Sequence, residues 1–287
     1  MNRLSIAQLA QFSGIKPHTI RIWEQRYNAL SPERTDGNTR TYSGSDLRRL
    51  LNIVALLDSK YKVSDLCVMS DEKLQDLILE HYSDLGNAES GKIVLQLISA
   101  GIEFNQDEFE LLLNFCIEKN GVASTFKEVL YPLLQRLGMM WAADLMPPAQ
   151  EHFMSNIIRQ KLLVEIDALP PTLESSKKWI LFLAEDEFHE IALLFAHYVL
   201  RERGETVFYL GANVPLFTLK QAIENIMPDC VLTFFIKSNF SEDQQKHLNL
   251  IRNSFPDGTI YISGNEKLIS SLELDSKTVW LQDIDAL

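Results

Sequence analysis

Apolar residues recur at three- and four-residue spacing along the first part of the chain, and beyond about residue 177 they gather instead into short runs. The first spacing is that of helices with one buried face, and the second is that of buried strands. Ser5 with Gln8 forms a capping box for a short first helix, Ser13-Gly14 supplies a turn, and Pro17 stands where a second helix begins. Ile20 and Trp23 give that helix its buried side, and a polar stretch from Glu33 to Tyr42 follows it. Ser43 and Asp46 cap a third helix carried by Leu47, Leu50, Leu51, Val54 and Leu57, ending near Lys62. From Ser70 to about Ala168 the spacing stays helical, with breaks at Gly86, Gly101, Gly121 and Pro147-Pro148. Pro170-Pro171 and Ser175-Ser176-Lys177-Lys178 read as a linker. Five apolar strands then alternate with helices: Trp179 to Ala184, Val207 to Leu210, Val231 to Ile236, Thr259 to Ile262 and Thr278 to Leu281.

These elements predict a multidomain α and α/β chain. A winged helix-turn-helix spans 1–72, a four-helix bundle spans 76–169, and a doubly wound five-stranded parallel sheet spans 177–287. A sheet of that kind takes ligands outside the carboxyl ends of its strands.

Charge assigns the first segment a partner. Residues 1 to 50 hold eight Lys and Arg against four acids, so they carry +4 in a chain of net charge -12, and the remainder carries -16. A basic end on an acidic body is drawn to phosphate and orients the molecule on double-stranded DNA. Symmetric operators suit symmetric readers, so a homodimer or homotetramer is expected. The 287 residues hold no apolar run of about 18 residues to span a bilayer and no secretory leader, which predicts a cytoplasmic protein without a membrane partner. Cys67, Cys116 and Cys230 lack the paired spacing of a zinc site and read as buried apolar residues. No nucleophile triad, phosphate loop or carboxylate pair is present, and the chain reads as a non-enzyme.

A second chemistry sits at the first strand's carboxyl end, where Glu185-Asp186-Glu187-Phe188-His189-Glu190 leads into a helix. His189 can ligate a metal through one ring nitrogen while Glu187 takes the proton of the other; a plain surface histidine is the alternative. Tyr209 to Pro215 reads as a tight turn of small residues after the second strand. In the bundle, Trp141 is separated from Glu151-His152 by nine residues, Pro147-Pro148 among them. Trp141 as a core aromatic and Glu151 and His152 as solvated helix-start residues are the plainer readings. His197 and His247 read as structural or surface histidines.

The first 72 residues resemble the DNA-binding domain of the MerR family. Position by position, the resemblance places Thr19, Arg21, Arg26 and Tyr27 on a reading helix, and Arg34, Asn38, Arg40 and Tyr42 on a wing. Such side chains suit guanine edges, adenine and phosphate. The rest of the chain resembles the cobalamin-binding module of corrinoid proteins, in particular the light-responsive MerR-type regulators of the CarH/LitR group. That resemblance implies adenosylcobalamin as cofactor and His189 as the lower cobalt ligand, with Glu187 orienting it. It also implies Trp141, Glu151 and His152 as a cap over the upper face, and Thr233 and Gly264 near the nucleotide tail. In the family the cofactor stabilises a dark assembly that occupies the operator and represses transcription, and light cleaves the cobalt–carbon bond and releases DNA. This sequence has Ala192 where the motif has glycine, Phe234 and Phe235 where a Ser-x-Leu is usual, and Asn265 in place of the second glycine after the fourth strand. A MerR-type regulator without cobalamin, governed by a protein partner, therefore stays open beside the cobalamin-dependent one. So does a corrinoid carrier subunit of a methyltransferase, which the basic head argues against.

Overall fold

The computed structural model describes residues 3–283 apart from 36–37, 58–60, 75, 78–89, 143–145, 173–175 and 237–240. The chain divides into two compact units, Met1–Met154 and Ser155–Leu287.

In the first unit, α1 (Ile6–Ser13) begins with the expected box: Ser5 Oγ accepts from the Gln8 amide, and the Gln8 side chain accepts from the Ser5 amide at 2.6 Å. Gly14, at φ 72°, ends it in the left-handed conformation that glycine adopts without steric cost. α2 (Pro17–Tyr27) buries Ile20 and Trp23 and ends on Asn28, also left-handed. A two-stranded antiparallel wing, β1 (Glu33–Arg34) and β2 (Arg40–Thr41), follows. α3 (Gly44–Ala55) has the Ser43/Asp46 box. It stops at Ala55 rather than running on to Lys62, and α4 (Val63–Val68) starts afresh with the Asp65 side chain accepting from the Lys62 amide. Arg49 fastens these pieces: its guanidinium donates to the carbonyls of Ala29, Cys67 and Met69 and pairs with Asp71.

The helical stretch continues through α5 (Ser90–Ile102), α6 (Gln106–Thr125), a π-helical turn (Phe126–Leu130), α7 (Tyr131–Ala142) and α8 (Pro148–Asp167), which begins in the first unit. Gly121 takes φ 77° and kinks α6 without ending it. The π turn has a cause in Pro132. With no amide proton there, the Glu128 carbonyl loses its usual partner, and the Tyr131 amide reaches five residues back to Phe126. Gly86, named as a break in the helical pattern, lies outside the described residues.

The second unit holds a five-stranded, wholly parallel sheet in the order β4-β3-β5-β6-β7. Its strands are β3 (Lys178–Ala184), β4 (Thr206–Val214), β5 (Cys230–Phe235), β6 (Thr259–Gly264) and β7 (Thr278–Trp280). One face packs α9 (Ile191–Glu202) through Leu193, Ala196 and Leu200. The other packs α10 (Leu216–Ile226), α11 (Ser241–Ser254) and α12 (Glu266–Ile269) through Leu219, Ile251 and Leu268. Strand β3 is buried from Trp179 to Ala184, as a strand covered on both faces must be. Successive connections leave β3 toward β4 on one side and β5 on the other, so the chain reverses direction across the sheet beside the carboxyl end of β3.

Tyr209 to Pro215 is not a tight turn. β4 runs on to Val214, and its register against β3 slips between Leu181 and Phe182 and again before Ala184, at Gly211 (φ 80°) and Asn213 (φ 56°). Bulges of this kind bend an edge strand and re-aim its side chains. Gly264 takes φ 126°, and a Cβ there would lie 2.2 Å from the Phe235 carbonyl oxygen. Its glycine is thus explained by the neighbouring strand alone. Asn265 sits at φ -69° and caps α12 through its side chain, which accepts from Lys267 and Leu268. Gly264→Ala should destabilise the second unit by at least about 1–3 kcal/mol, the cost of a forced positive φ, before the clash is added. Chemical denaturation followed by circular dichroism measures this, and an unchanged midpoint would contradict the packing described.

Candidate DNA-reading face and cobalt-ligating loop

On the head, Arg21 and Arg26 are exposed on α2, while Thr19 and Tyr27 are half-buried. Arg34 and Asn38 are exposed on the wing, and an Arg34 guanidinium nitrogen donates to Asn38 Oδ1 at 2.5 Å. The expectation fails for Tyr42. It is 1% exposed, and its hydroxyl donates to Glu24 Oε2 at 2.9 Å, so it is a core residue and not a phosphate donor. Burial and the neighbouring carboxylate raise its pKa above the ordinary phenol value. Arg40 is also committed within the protein, its Nε meeting Glu24 Oε1 at 2.8 Å. Sequence reasoning missed Glu24. Standing one residue after the buried Trp23, it holds β2 of the wing against α2 with both carboxylate oxygens. Arg3 pairs with Glu33, Arg48 with Glu103 and Arg49 with Asp71. Among the residues counted for the basic end, Arg21, Arg26 and Arg34 are the exposed guanidinium groups best placed to meet DNA.

In the second unit, the loop between β3 and α9 carries the predicted pair. Glu187 is 7% exposed, and its Oε1 lies 2.5 Å from His189 Nδ1. The same oxygen accepts from the amides of Phe188 and His189. A carboxylate acceptor at Nδ1 keeps the proton there and puts the ring's lone pair on Nε2. The His189 side chain is 60% exposed. The β4 bulge supports the loop from beside it: Asp186 N–H donates to Asn213 Oδ1 at 2.9 Å, and Asn213 N–H donates to the Glu187 carbonyl at 3.0 Å.

The residue after the histidine is a second anchor that sequence did not suggest. Glu190 accepts from the Tyr209 hydroxyl at 3.1 Å and pairs with Arg159 of α8 at 2.8 Å. Burial and the Glu190 carboxylate raise the Tyr209 pKa. Tyr209 in turn stacks on His197, ring centroids 5.1 Å apart.

The tail side of the site is mixed. Thr233 is fully buried on β5, and its hydroxyl has no partner among the described residues. An orphan hydroxyl at that depth is costly unless something bonds it, which suits a ligand oxygen. Phe235, on the same face two residues on, fills the core against α10–α12, and Phe234 is buried in the core beside α9. Ala192 packs against that second core. In the first unit, Glu151 and His152 pair with one another at 2.8 Å, with the histidine 71% exposed. The Trp141 side chain lies outside what the structure describes. Cys67, Cys116 and Cys230 are buried free thiols, and burial pushes both Cys116 and Cys230 up to about 11. No helix among the described residues is long and apolar enough to cross a membrane.

Two predictions come from these contacts. Glu24→Ala leaves the buried Tyr42 hydroxyl without its acceptor and should destabilise the head by about 1–3 kcal/mol. Weaker DNA binding should accompany it, measured by thermal denaturation and anisotropy on a duplex selected from random DNA; unchanged values of both would sink the assignment. The second concerns His197, whose imidazole burial lowers to about 4 from 6.5, with Arg201 adding to the effect. The unfolded chain takes up a proton in that interval before the folded one does, so stability is lost as pH falls from 6.5 toward 4. His197→Phe should flatten that part of the stability-pH curve, and an unaltered curve contradicts the burial argument.

Comparison with known proteins finds matches in both the head and the helical stretch. Residues 4–71 match the MerR HTH family regulatory protein profile, and residues 94–164 match the B12 binding domain profile. The HTH-type transcriptional repressor CarH of Myxococcus xanthus is 28% identical over 268 residues, 91% of this chain and 88% of that one. CarA of the same organism, also an HTH-type transcriptional repressor, is 27% identical over 84% of this chain and 79% of its own. Among solved structures, the monomethylamine corrinoid protein of Methanosarcina barkeri shares the fold, with TM-score 0.55 at 14% identity, over 69% of this chain and 95% of that one. The chain thus joins a segment matching the MerR helix-turn-helix family to one matching the B12 binding domain, and over most of its length it is similar to the CarH and CarA repressors.

Proposed function

We propose that this protein is a transcriptional repressor, acting as a homodimer or homotetramer, whose hold on DNA is set by adenosylcobalamin and released by light through a change in assembly. The observation that carries this reading is the Glu187–His189 pair, in which a buried carboxylate holds Nδ1 of a histidine whose side chain is 60% exposed. When bound, adenosylcobalamin supplies a light-sensitive cobalt–carbon bond and a bulky upper ligand.

The chain's own residues do the rest. His189 would hold the cobalt from below through Nε2, and Glu187 would keep its ring in the ligating tautomer. Trp141, Glu151 and His152 would meet the upper ligand. Thr233 would offer its hydroxyl to the tail, and Gly264 would border it. Arg21, Arg26 and Arg34 would contact a palindromic operator, with Thr19, Tyr27 and Asn38 beside them. Arg40 and Tyr42 would act on the operator through the shape they give the wing. Linking several heads raises their effective concentration on adjacent half-sites, so assembly alone tunes occupancy.

A second reading has an observation of its own. Phe235 occupies the core where a tail would pass, and both Gly264 and Asn265 have structural explanations that need no ligand. On that reading the sheet domain binds no corrinoid and answers to a protein partner.

Desalting after incubation with adenosylcobalamin in the dark separates them, read by absorbance and by sedimentation before and after green light. Retention of a base-off, His-on spectrum that His189→Ala abolishes, with assembly lost on illumination, supports the first. Corrinoid washing off wild type would exclude it in favour of the second.

A further inference from the structure

The head and the helical stretch meet inside the first unit at α3 and α5. Arg48 of α3 pairs with Glu103, just past the end of α5, at 2.6 Å. Asn52 stands one turn beyond Arg48 on the same stripe of α3. Ser99 and Gln96 stand one and two turns before Glu103 on one stripe of α5. All three are buried, at 4%, 2% and 1% exposure. Asn52 Oδ1, Ser99 Oγ and both polar atoms of Gln96 have no hydrogen-bond partner among the described residues. Native cores rarely tolerate such groups, and helices 44–55 and 90–102, which carry these, touch each other. A contact that leaves them unmet is one that separates readily, since parting returns them to water.

The other side of α5 leads to the proposed cap. Its end is pinned to the first turns of α8: Gln150 donates to the Ile102 carbonyl at 2.6 Å, and Phe104 meets Phe153 edge-on at 5.3 Å. Gly101 lies so close to Met154 that a Cβ would strike its sulfur at 2.0 Å. These α8 residues flank Glu151 and His152. The corner Gly101–Phe104 therefore touches the cap turn through Ile102 and Phe104 and the reading head through Glu103.

We propose that the α3–α5 contact is a detachable joint, and that the corner Gly101–Phe104 transmits the state of the Glu151-His152 turn across it to the DNA-reading head. The ligand side of this inference rests on the cobalamin reading; the joint itself does not. Movement of the α8 turn shifts the corner, the Arg48–Glu103 pair breaks, and the buried amides and hydroxyl hydrate. Conversely, DNA held by the head biases the joint and is felt at α8, since coupling is reciprocal.

The test uses the full chain and a duplex selected from random DNA for tight binding. Two variants bracket the joint: Asn52→Leu with Gln96→Leu to lock it, and Arg48→Ala to loosen it. The first readout is hydrogen exchange across residues 96–104 and 148–154 with and without the duplex. Wild type should change its exchange in both segments on binding DNA, and both variants should lose the change at 148–154. The second readout is the ratio of duplex affinities with and without adenosylcobalamin in the dark, expected at about 5 or more in wild type and near one in both variants. Raised thermal stability in the locked variant shows that it folds. Exchange at 148–154 that ignores DNA in wild type, or responds equally in all three proteins, overturns the joint. A wild-type affinity ratio of one with no corrinoid bound overturns the cobalamin reading and leaves the exchange result to decide the joint.

Discussion

One buried carboxylate decides what the second unit can do. Glu187 spends Oε1 on His189 Nδ1 and on two backbone amides, which ties the loop after β3 and favours the imidazole tautomer protonated at Nδ1. A ring without that partner would share its proton between both nitrogens and present a ligating lone pair only part of the time. The loop is held from two further directions. Asn213, displaced by the β4 bulge, bonds to Asp186 and Glu187, and Glu190 joins Tyr209 to Arg159 of α8. A ligand placed on His189 thus rests on a frame that includes the sheet edge and the last turns of the bundle's final helix.

Glu24 has a comparable role at the other end of the chain. A carboxylate between Arg40 and Tyr42 turns two residues of DNA-binding type into struts and fixes the wing relative to α2. Much of the positive charge of the first fifty residues is consumed this way, by Glu24, Glu33, Asp71 and Glu103. What is left outward, Lys16, Arg21, Arg26 and Arg34, is small enough that geometry, more than bulk charge, governs the fit to a groove.

The sequence showed clearly those features that depend on local rules. Ser5/Gln8, Ser43/Asp46 and Pro17 announced helix starts because capping is chemistry between near neighbours, and five apolar runs announced five strands. The Glu187–His189 pair was legible for the same reason, being two residues apart. Features that need distant partners were not legible. Tyr42 reads like a phosphate donor until Glu24, 18 residues away, claims its hydroxyl. The segment Tyr209–Pro215 reads like a turn because small residues and positive φ also serve bulges, and only pairing with β3 distinguishes the two. Gly264 looked like half of a ligand-binding pair, yet the Phe235 carbonyl accounts for it. Arg48 and Glu103 share no local signal at all.

The central claim, that His189 Nε2 is the cobalt ligand, is tested most directly by electron paramagnetic resonance of protein carrying the cobalt(II) corrinoid, with histidine labelled by nitrogen-15. An axial histidine nitrogen splits each cobalt line into a triplet when unlabelled and a doublet when labelled. The doublet is the result predicted for wild type, and it should vanish in His189→Ala. A triplet that persists after labelling would mean that the corrinoid keeps its own base, and would contradict the account.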